Sequence, residues 1–315
     1  MKILIIYRHY WPDTPPLGSI LRTVAETLVA RGHRVYVVTG QPSYQARRGE
    51  ALPKRETKGG VRIIRLPLLP ESGGTLRRAV NMLLFQVSAF SYAARPRFDL
   101  LWANTLPPVY AGFNAVVAAK ACGARLLYHM QDVYPEVWRY STGKRPGALK
   151  RFAIRALATI DSLTCRVASA VVVLSDDMMR TIADRGGNGA VRFHVINNFI
   201  QAELKAEGPP PERVGDGPFR LVFSGNLGRF QNLDLLLQAM ALIRPDEGIS
   251  LEFIGSGVAE AGLRETVSEC GLTHVRFPPR MPSDQASKLP PTALHPVLPL
   301  GPCLSPRPHP RRPAS

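Results

Sequence analysis

The residue types best suited to chemistry stand together in residues 125–138, RLLYHMQDVYPEVW. The apolar run LLY predicts a buried parallel strand, and His129, Asp132 and Glu136 come directly after it. In a doubly wound sheet, ligands bind in the crevice outside the carboxyl ends of the strands. Their position therefore makes these three residues candidate catalytic residues. The alternative is that the two acids only solvate a loop in which Pro135 sets a turn.

A second candidate site is the segment FSGNLGRFQNL, which predicts a strand, a glycine-rich turn and a helix. Gly225 and Gly228 allow a ligand to approach the backbone closely, and Arg229 supplies a cation. This combination suits a nucleotide diphosphate, whose charge must be neutralised as it leaves. A further turn with Gly255 and Gly257 follows the next predicted strand and could line the same crevice. The alternative is that these glycines serve tight strand-to-helix packing.

A third candidate is the loop after the first predicted strand, which offers Arg8, His9 and Trp11 and places Gly18 before a helix. A glycine at a helix N-terminus lets backbone amides approach an anionic or sugar ligand. The loop contains no GxGxxG pattern, so a dinucleotide site is disfavoured. A plain loop with Trp11 packed on its own sheet explains these residues equally well.

Strands and helices alternate around these candidates, which predicts an α/β fold with a parallel sheet covered on both faces. Ser19 is the predicted N-cap of the first helix. The predicted strands of the first half are 2–7, 34–40, 61–66, 100–104, 125–130, 170–175 and 191–197, and the predicted helices are 19–31, 76–94, 109–121, 146–168 and 176–185.

Composition divides the chain into two Rossmann-like domains. Residues 1–200 are predicted to form the first, and 201–218 have the proline- and glycine-rich composition of a linker. The alternation then restarts with predicted strands at 219–224, 250–254 and 275–277 and helices at 233–243 and 259–270. This second domain, residues 219–289, is predicted to be incomplete.

The end of the sequence, residues 290–315, holds nine of the 29 prolines of the chain. Proline lacks an amide donor, so this segment cannot form a helix or a central strand. The simple interpretation is a disordered proline-rich tail. A sharper hypothesis is that the reading frame shifts near Leu289, so that the second half of the second domain is missing. Sequencing the coding DNA and translating its other frames would test this hypothesis.

The net charge of +16 is confined to the first half of the chain. Residues 1–200 contain 28 basic and 12 acidic residues, whereas residues 201–315 contain 12 of each. Such an imbalance predicts anionic partners. A basic cluster opens an amphipathic helix, and with the apolar helix 76–94 it could seat the domain on an anionic membrane surface. The cluster consists of Lys144, Arg145, Lys150, Arg151 and Arg155.

Two alternatives compete with the membrane interpretation. Both helices could simply pack on the sheet and leave their arginines in solvent. Nucleic acid is disfavoured as a partner, because no aromatic residues are interleaved with the cluster as stacking platforms.

Several classes of protein are disfavoured. No run of about 18 apolar residues predicts a membrane span, and the N-terminus reads as a strand rather than a signal peptide. The four cysteines are scattered without CxxC spacing, which predicts reduced thiols in the cytoplasm and no zinc site or other metal site.

Four motifs together resemble family-four glycosyltransferases of the GT-B fold, which has two Rossmann-like domains. They are YRHYWPDTPPLGSILRTVAETLVARGHRVYVVTG, YHMQDVYPE, FSGNLGRFQNLDLLLQAM and LEFIGSG, and the match runs from residue 1 to about residue 289. The chain is similar to bacterial enzymes that build exopolysaccharides and O-antigens, such as colanic acid glycosyltransferases.

The resemblance implies that the second domain binds a nucleotide-sugar donor. The first domain would bind a saccharide or polyprenyl-diphosphate-linked acceptor at the inner face of the cell membrane, with the enzyme cytoplasmic and peripheral. Transfer would retain the anomeric configuration and need neither a metal nor a cofactor besides the donor.

By the same resemblance, Gly18 lies near the donor phosphates. The three candidate catalytic residues after the LLY strand belong to the acceptor-side motif. The diphosphate-binding turn contains Gly225, Asn226, Arg229 and Gln231.

The chain departs from the family pattern in two places. The family usually has an Arg and a Lys around the diphosphate turn, where this chain has Asn226 and Gln231, so Arg229 is the local cation. The later motif of two glutamates, which contact the donor sugar and ribose in the family, is replaced by the proline-rich segment. We therefore expect weak nucleotide binding and negligible transfer by this chain. A non-catalytic membrane- or polyanion-binding module is the alternative function.

Overall fold

The computed structural model describes residues 1–13, 16–42, 52–68, 75–94, 98–137, 147–185, 190–199, 219–228 and 231–278. The chain divides into two compact units, Met1–Ile200 and Gln201–Ser315. The predicted linker 201–218 and everything after residue 278, including the predicted tail, lie outside the described residues.

The first unit is built on an eight-stranded sheet with the spatial order β3-β4-β2-β1-β5-β6-β7-β8. All neighbouring strands pair in parallel except β3 and β4, which are antiparallel. The strands are β1 (Lys2–Ile6), β2 (Arg34–Gly40), β3 (Arg55–Lys58), β4 (Val61–Leu66), β5 (Leu100–Asn104), β6 (Arg125–His129), β7 (Ala170–Val173) and β8 (Phe193–Val195).

The described residues of this unit include five helices: α1 (Pro16–Ala30), α2 (Thr75–Ala93), α3 (Tyr110–Cys122), α4 (Ala148–Val167) and α5 (Asp176–Ala183). Ile3 and Ile5 of β1 belong to the core cluster that also contains the buried residues of α1. Leu4, between them, packs instead in the cluster formed with α2 and α3. Because successive side chains of a strand point to opposite faces, β1 is buried on both sides, as predicted for a parallel sheet.

Two local predictions were wrong. Strand β3 was not predicted, because its sequence RETK has no apolar alternation. Its stability comes from pairing with β4, reinforced by a 2.6 Å ion pair between Glu56 and the buried Arg65. Helix α1 begins at Pro16, so Ser19 lies inside the helix and is not its cap. Proline is favoured in the first turn, where a missing N–H costs no helical hydrogen bond.

The second unit has a three-stranded parallel sheet within its described residues, with the order β11-β10-β9. The strands are β9 (Phe219–Asn226), β10 (Ile249–Ser256) and β11 (Val275–Arg276), and the helices are α6 (Asp234–Ala241) and α7 (Glu260–Glu269). Phe253 of β10 is fully buried at the centre of the core. The strand–helix alternation confirms the predicted α/β fold class.

Candidate active site

Polar side chains gather at the carboxyl ends of β5 and β6 in the first unit. Asn104 and His129 are the last residues of these strands and stand opposite each other in the register. The loop after β6 is held to the loop after β5 by the Gln131 N–H, which donates to Thr105 Oγ1 at 3.1 Å. This edge is where a parallel sheet presents its ligand site.

His129 is buried, and burial lowers its pKa from 6.5 to about 4. The Gln131 side-chain Nε2 lies 2.8 Å from His129 Nε2, while Gln131 Oε1 accepts from Asn198 Nδ2 at 3.0 Å. This second bond orients the Gln131 amide, so His129 Nε2 is assigned as an acceptor and Nδ1 as the protonated nitrogen. His129 is therefore a neutral group at physiological pH.

Three buried polar atoms on these two strands have no hydrogen-bond partner among the described residues: Trp102 Nε1, Asn104 Oδ1 and His129 Nδ1. The rings of Trp102 and His129 meet edge to face with centroids 5.7 Å apart. An unpaired buried polar group costs about 1–3 kcal/mol. A polar ligand that reached these atoms would recover part of that cost.

The sequence prediction missed Trp102 and Asn104. The signal for Asn104 was present, since it is a polar residue that ends a predicted strand, and the positional argument used for His129 applies to it. Trp102 gave no such signal because it stands inside an apolar strand.

Asp132 is exposed in the loop after β6 and makes no hydrogen bond or ion pair with a described residue. Although the residue is exposed to solvent, neighbouring groups partly desolvate its carboxyl and raise its pKa above the ordinary value. Among the three candidate catalytic residues, it is the one whose carboxylate can meet a ligand in solvent.

Glu136 is instead engaged by Arg185, which follows helix α5. Arg185 Nε donates to Glu136 Oε1 at 2.8 Å and Nη2 donates to Oε2 at 2.5 Å, the bidentate geometry that arginine forms with a carboxylate. Arg185 also donates to the Tyr134 carbonyl at 2.7 Å and to Asp161 at 2.6 Å. Asp161 in turn accepts from the Tyr128 hydroxyl at 2.9 Å. Glu136 therefore ties the loop after β6 to helices α4 and α5.

No sequence pattern indicated Arg185, which lies 49 residues from Glu136. Both carboxylate oxygens of Glu136 are occupied by the guanidinium. The residue is thus poorly placed to act as a base while this ion pair is intact.

The loop after β1 is also tightly bound. His9 Nδ1 lies 2.9 Å from Asp13 Oδ2, and a Cβ on Gly18 would come within 2.5 Å of the His9 carbonyl oxygen. Gly18 therefore lets the first turn of α1 pack directly on this loop. The ring of Trp11 carries the Lys58 ammonium at 3.7 Å from its centroid, which agrees with the packing alternative for this residue.

In the second unit, the two glycine turns lie side by side. Gly225 and Gly255 are partners in the β9–β10 register, and a Cβ on Gly255 would lie 1.8 Å from the Gly225 carbonyl oxygen. A Cβ on Gly257 would lie 2.3 Å from the Leu227 carbonyl oxygen. Tight packing therefore accounts for Gly255 and Gly257, and it brings the two turns together.

The first of these turns is less crowded at Gly225. Its φ of 155° favours glycine, and a Cβ there would meet nothing closer than 3.9 Å. Gly228 N–H donates to Gln231 Oε1 at 2.7 Å, and a Cβ on Gly228 would lie 2.9 Å from the Asn226 side-chain nitrogen. Asn226 and Gln231 thus shape the turn. Arg229 lies outside the described residues.

Part of the basic cluster lies on the first turns of α4, where Arg151 and Arg155 are exposed and Lys150 is half-buried. Lys144 and Arg145 lie outside the described residues. No described helix is long and apolar enough to cross a membrane. The described residues contain no group of three or more His, Cys, Asp or Glu side chains that could hold a metal ion.

Two α/β units, each with polar or glycine-rich loops at the carboxyl ends of parallel strands, are typical of two-domain GT-B glycosyltransferases. Residues 17–199 match the family described as Glycosyl transferase 4-like domain, and the chain belongs to this family. It is 26% identical over 331 residues to the colanic acid biosynthesis glycosyl transferase WcaI of Escherichia coli (strain K12), with 96% of this chain and 75% of that protein covered.

Solved structures share the fold at lower identity. WaaG, a glycosyltransferase involved in lipopolysaccharide biosynthesis, is 18% identical with a TM-score of 0.59, covering 91% of this chain and 71% of its own. HepE of Anabaena, solved in complex with UDP-glucose, is 16% identical with a TM-score of 0.56, covering 90% and 70%. These comparisons confirm the predicted family and GT-B fold.

Proposed function

We propose that this chain is a glycosyltransferase of the kind that moves a hexosyl group from a nucleotide-sugar to a saccharide or lipid-linked acceptor during the synthesis of a cell-surface polysaccharide. Its donor site would be incomplete, because the two-glutamate motif of the family is replaced, so we expect its own transfer to be negligible. The second unit would bind the donor and the first unit the acceptor. The observation that carries the donor assignment is the pair of adjoining glycine turns after β9 and β10. HepE, which shares this fold, was solved with UDP-glucose, which supports a nucleotide-sugar as the donor.

The turns are suited to a diphosphate for a steric reason. Leu227 N–H donates to the Ser256 carbonyl and Ala259 N–H donates to the Leu227 carbonyl, each at 3.0 Å, so the turns form one hydrogen-bonded unit. Because Gly225 has no side chain, the backbone of the first turn is uncovered at that position. Phosphate oxygens can therefore approach the backbone there, and Arg229 would supply the charge that stabilises the departing diphosphate.

On the acceptor side, we assign different roles to the three candidate catalytic residues. Asp132 would accept hydrogen bonds from acceptor hydroxyls, because its carboxylate is exposed. His129 would act as a neutral hydrogen-bonding group at the base of the site. Glu136 would position the loop through Arg185 rather than act on the substrate. Gly18 would keep the loop after β1 close to the N-terminus of α1, and the family resemblance implies a role near the donor phosphates.

Three further features of the proposal follow from the family resemblance. Transfer would retain the anomeric configuration of the sugar and would need neither a metal ion nor a cofactor. The enzyme would act in the cytoplasm, bound peripherally to the inner face of the cell membrane. Lys144, Arg145, Lys150, Arg151 and Arg155 would attract anionic lipids there.

Binding of the donor is the sharpest test, because the expected weakness of turnover does not affect it. The purified chain should show a saturable increase in thermal midpoint with uridine diphosphate or another nucleoside diphosphate, with EDTA present. Replacement Arg229→Gln should weaken this binding by about tenfold or more, since it removes one charge-assisted contact.

Arg244→Gln is the matched control. Arg244 is exposed, pairs with Glu247 and follows α6 at the opposite edge of the second sheet. Its loss should leave nucleotide binding unchanged. If no nucleoside diphosphate shifts the midpoint, or if both variants behave alike, the assignment of the donor site is wrong.

A further inference from the structure

Helices α2, α3 and α4 lie side by side on one face of the first sheet, with α3 packed between the other two. Each exposes large apolar side chains at helical spacing: Leu83 and Val87 on α2, Phe113 and Val117 on α3, and Leu149 and Phe152 on α4. We call this surface the three-helix face. Phe152 is 71% exposed and Leu149 83% exposed, so nothing in the described part of the chain covers them.

The charge of the three-helix face has a single sign. The three helices contain one acidic residue, Asp161, which is buried and bound to Arg185. Their exposed charged residues are all basic: Arg77, Lys120, Arg151, Arg155 and Arg166. An apolar surface with a purely basic surround is the pattern that binds the interface of an anionic bilayer.

We propose that the three-helix face docks on an anionic lipid bilayer, with α3 as the central element of the contact. This proposal rests on the membrane association within the proposed function and identifies the surface that performs it. The sequence had suggested only the outer two helices. The fold adds α3, because it places the exposed aromatic residues Tyr110 and Phe113 between them.

The proposal favours a bilayer over a second copy of the chain on electrostatic grounds. A two-fold symmetric contact through the three-helix face would set the same basic residues of both copies against each other. Like charges brought together at an interface oppose association. Anionic head groups would neutralise the same residues while the apolar side chains enter the acyl boundary.

The geometry also gives an orientation. The first turn of α3 lies near the carboxyl ends of β5 and β6, the edge that carries Asn104 and His129, since a Cβ on Gly112 would meet the Tyr128 ring at 2.8 Å. Helix α4 extends past this edge, because Asp161 in its fourth turn accepts from the Tyr128 hydroxyl at 2.9 Å. Phe113, Leu149 and Phe152 all stand within the first two turns of their helices. Docking through these residues brings the candidate active site close to the membrane, where an acceptor carried on a lipid would be held.

The test is sedimentation of the full chain with vesicles of phosphatidylcholine, with and without phosphatidylglycerol. We expect binding only with phosphatidylglycerol and a decrease at high salt. Changing Leu83, Val87 and Phe113 together to serine should weaken binding by about tenfold or more, since each buried apolar side chain contributes. Leu242→Ser, at a residue 87% exposed in the second unit, is the control and should bind normally.

A second variant, Arg151→Gln with Arg155→Gln, leaves the apolar residues intact. It should bind about fivefold more weakly for each charge removed. Arg180→Gln, on the exposed surface of α5, should bind as the unchanged chain does. Equal binding to both kinds of vesicle, or unchanged binding by both test variants, would overturn the proposal.

One other result would assign the face to another occupant. A dimer that the serine variant disrupts would identify a second copy and overturn the proposal. The increase in thermal midpoint caused by a nucleoside diphosphate, measured in parallel, tests the donor assignment separately from this proposal. We expect that increase to be unchanged in every variant used in the vesicle experiments.

Discussion

The two units present their candidate sites by different physical means. In the first unit, the carboxyl edge of the sheet carries buried polar side chains, and one arginine holds the loop after β6 through two carboxylates. In the second unit, the corresponding edge is shaped by glycines and by backbone hydrogen bonds between two turns. The formal charge follows the same division, with all of the +16 in residues 1–200.

This difference predicts different sensitivities. A site made of buried ionisable groups should respond to loss of a charge partner and to pH. A site made of crowded glycines should respond to added volume. The two can be measured separately, because all three tryptophans lie in residues 1–200. Tryptophan fluorescence therefore follows unfolding of the first unit, whereas circular dichroism follows both units.

The largest effect should come from Arg185→Ala. It leaves Glu136 and the fully buried Asp161 without their cation, and breaking a buried ion pair by removing one partner costs about 3–5 kcal/mol. Urea unfolding monitored by tryptophan fluorescence measures this loss. Arg180→Ala is the control, since its exposed pair with Asp177 should contribute less than about 1 kcal/mol. Similar losses in the two variants would mean that the buried network does not stabilise the loop.

The next largest effect concerns pH. The folded state holds the pKa of His129 near 4, below its unfolded value of 6.5, so His129 favours folding fully above pH 6.5. This contribution declines as the pH falls from 6.5 to 4, by up to about 3 kcal/mol, because the unfolded chain takes up the proton first. His129→Gln should flatten that part of the stability profile. A profile identical to that of the unchanged chain would contradict the neutral assignment.

A smaller effect on stability, but a clear one on the donor site, is expected from Gly255→Ala. The new Cβ would overlap the Gly225 carbonyl oxygen, and such overpacking costs about 2 kcal/mol. Circular dichroism should show the loss, tryptophan fluorescence should not, and nucleotide binding should weaken. Gly262→Ala on α7 is the matched control, because nothing lies within 4 Å of its added Cβ. It should be neutral or raise stability by up to about 1 kcal/mol. Equal behaviour of the two variants would refute the steric argument.

Much of the fold could be predicted because its signals are local. Strands β2, β4 and β5 have the predicted bounds, since short segments rich in β-branched residues, such as VRIIRL, indicate strands without reference to the rest of the chain. The edge strand β3 could not be predicted in this way. Its polar residues form a strand only because β4 supplies hydrogen bonds and Arg65 supplies an ion pair.

The candidate site was predictable in position but not in the state of its residues. His129, Asp132 and Glu136 were identified as candidates because all three follow the apolar run of a predicted parallel strand. The assignment of catalytic residues stays a prediction, and the structure gives the three different environments: a buried neutral ring, an exposed carboxylate and a carboxylate held by Arg185. Burial and ion pairing depend on neighbours that are distant in sequence, so no local pattern encodes them.

The sequence by itself determined the α/β class, the family and the edge of the sheet where chemistry would take place. It could do so because hydrophobic periodicity and glycine-rich turns are each visible within a few consecutive residues. Only the tertiary structure decided that Arg185 reaches across 49 residues to Glu136, that Gly225 and Gly255 stand in register, and that α3 completes an apolar basic face with α2 and α4. Each of these depends on which segments of the chain become neighbours. The packing of the whole sheet decides which segments become neighbours. A contact between distant residues is stable only when the surrounding elements hold both residues in place.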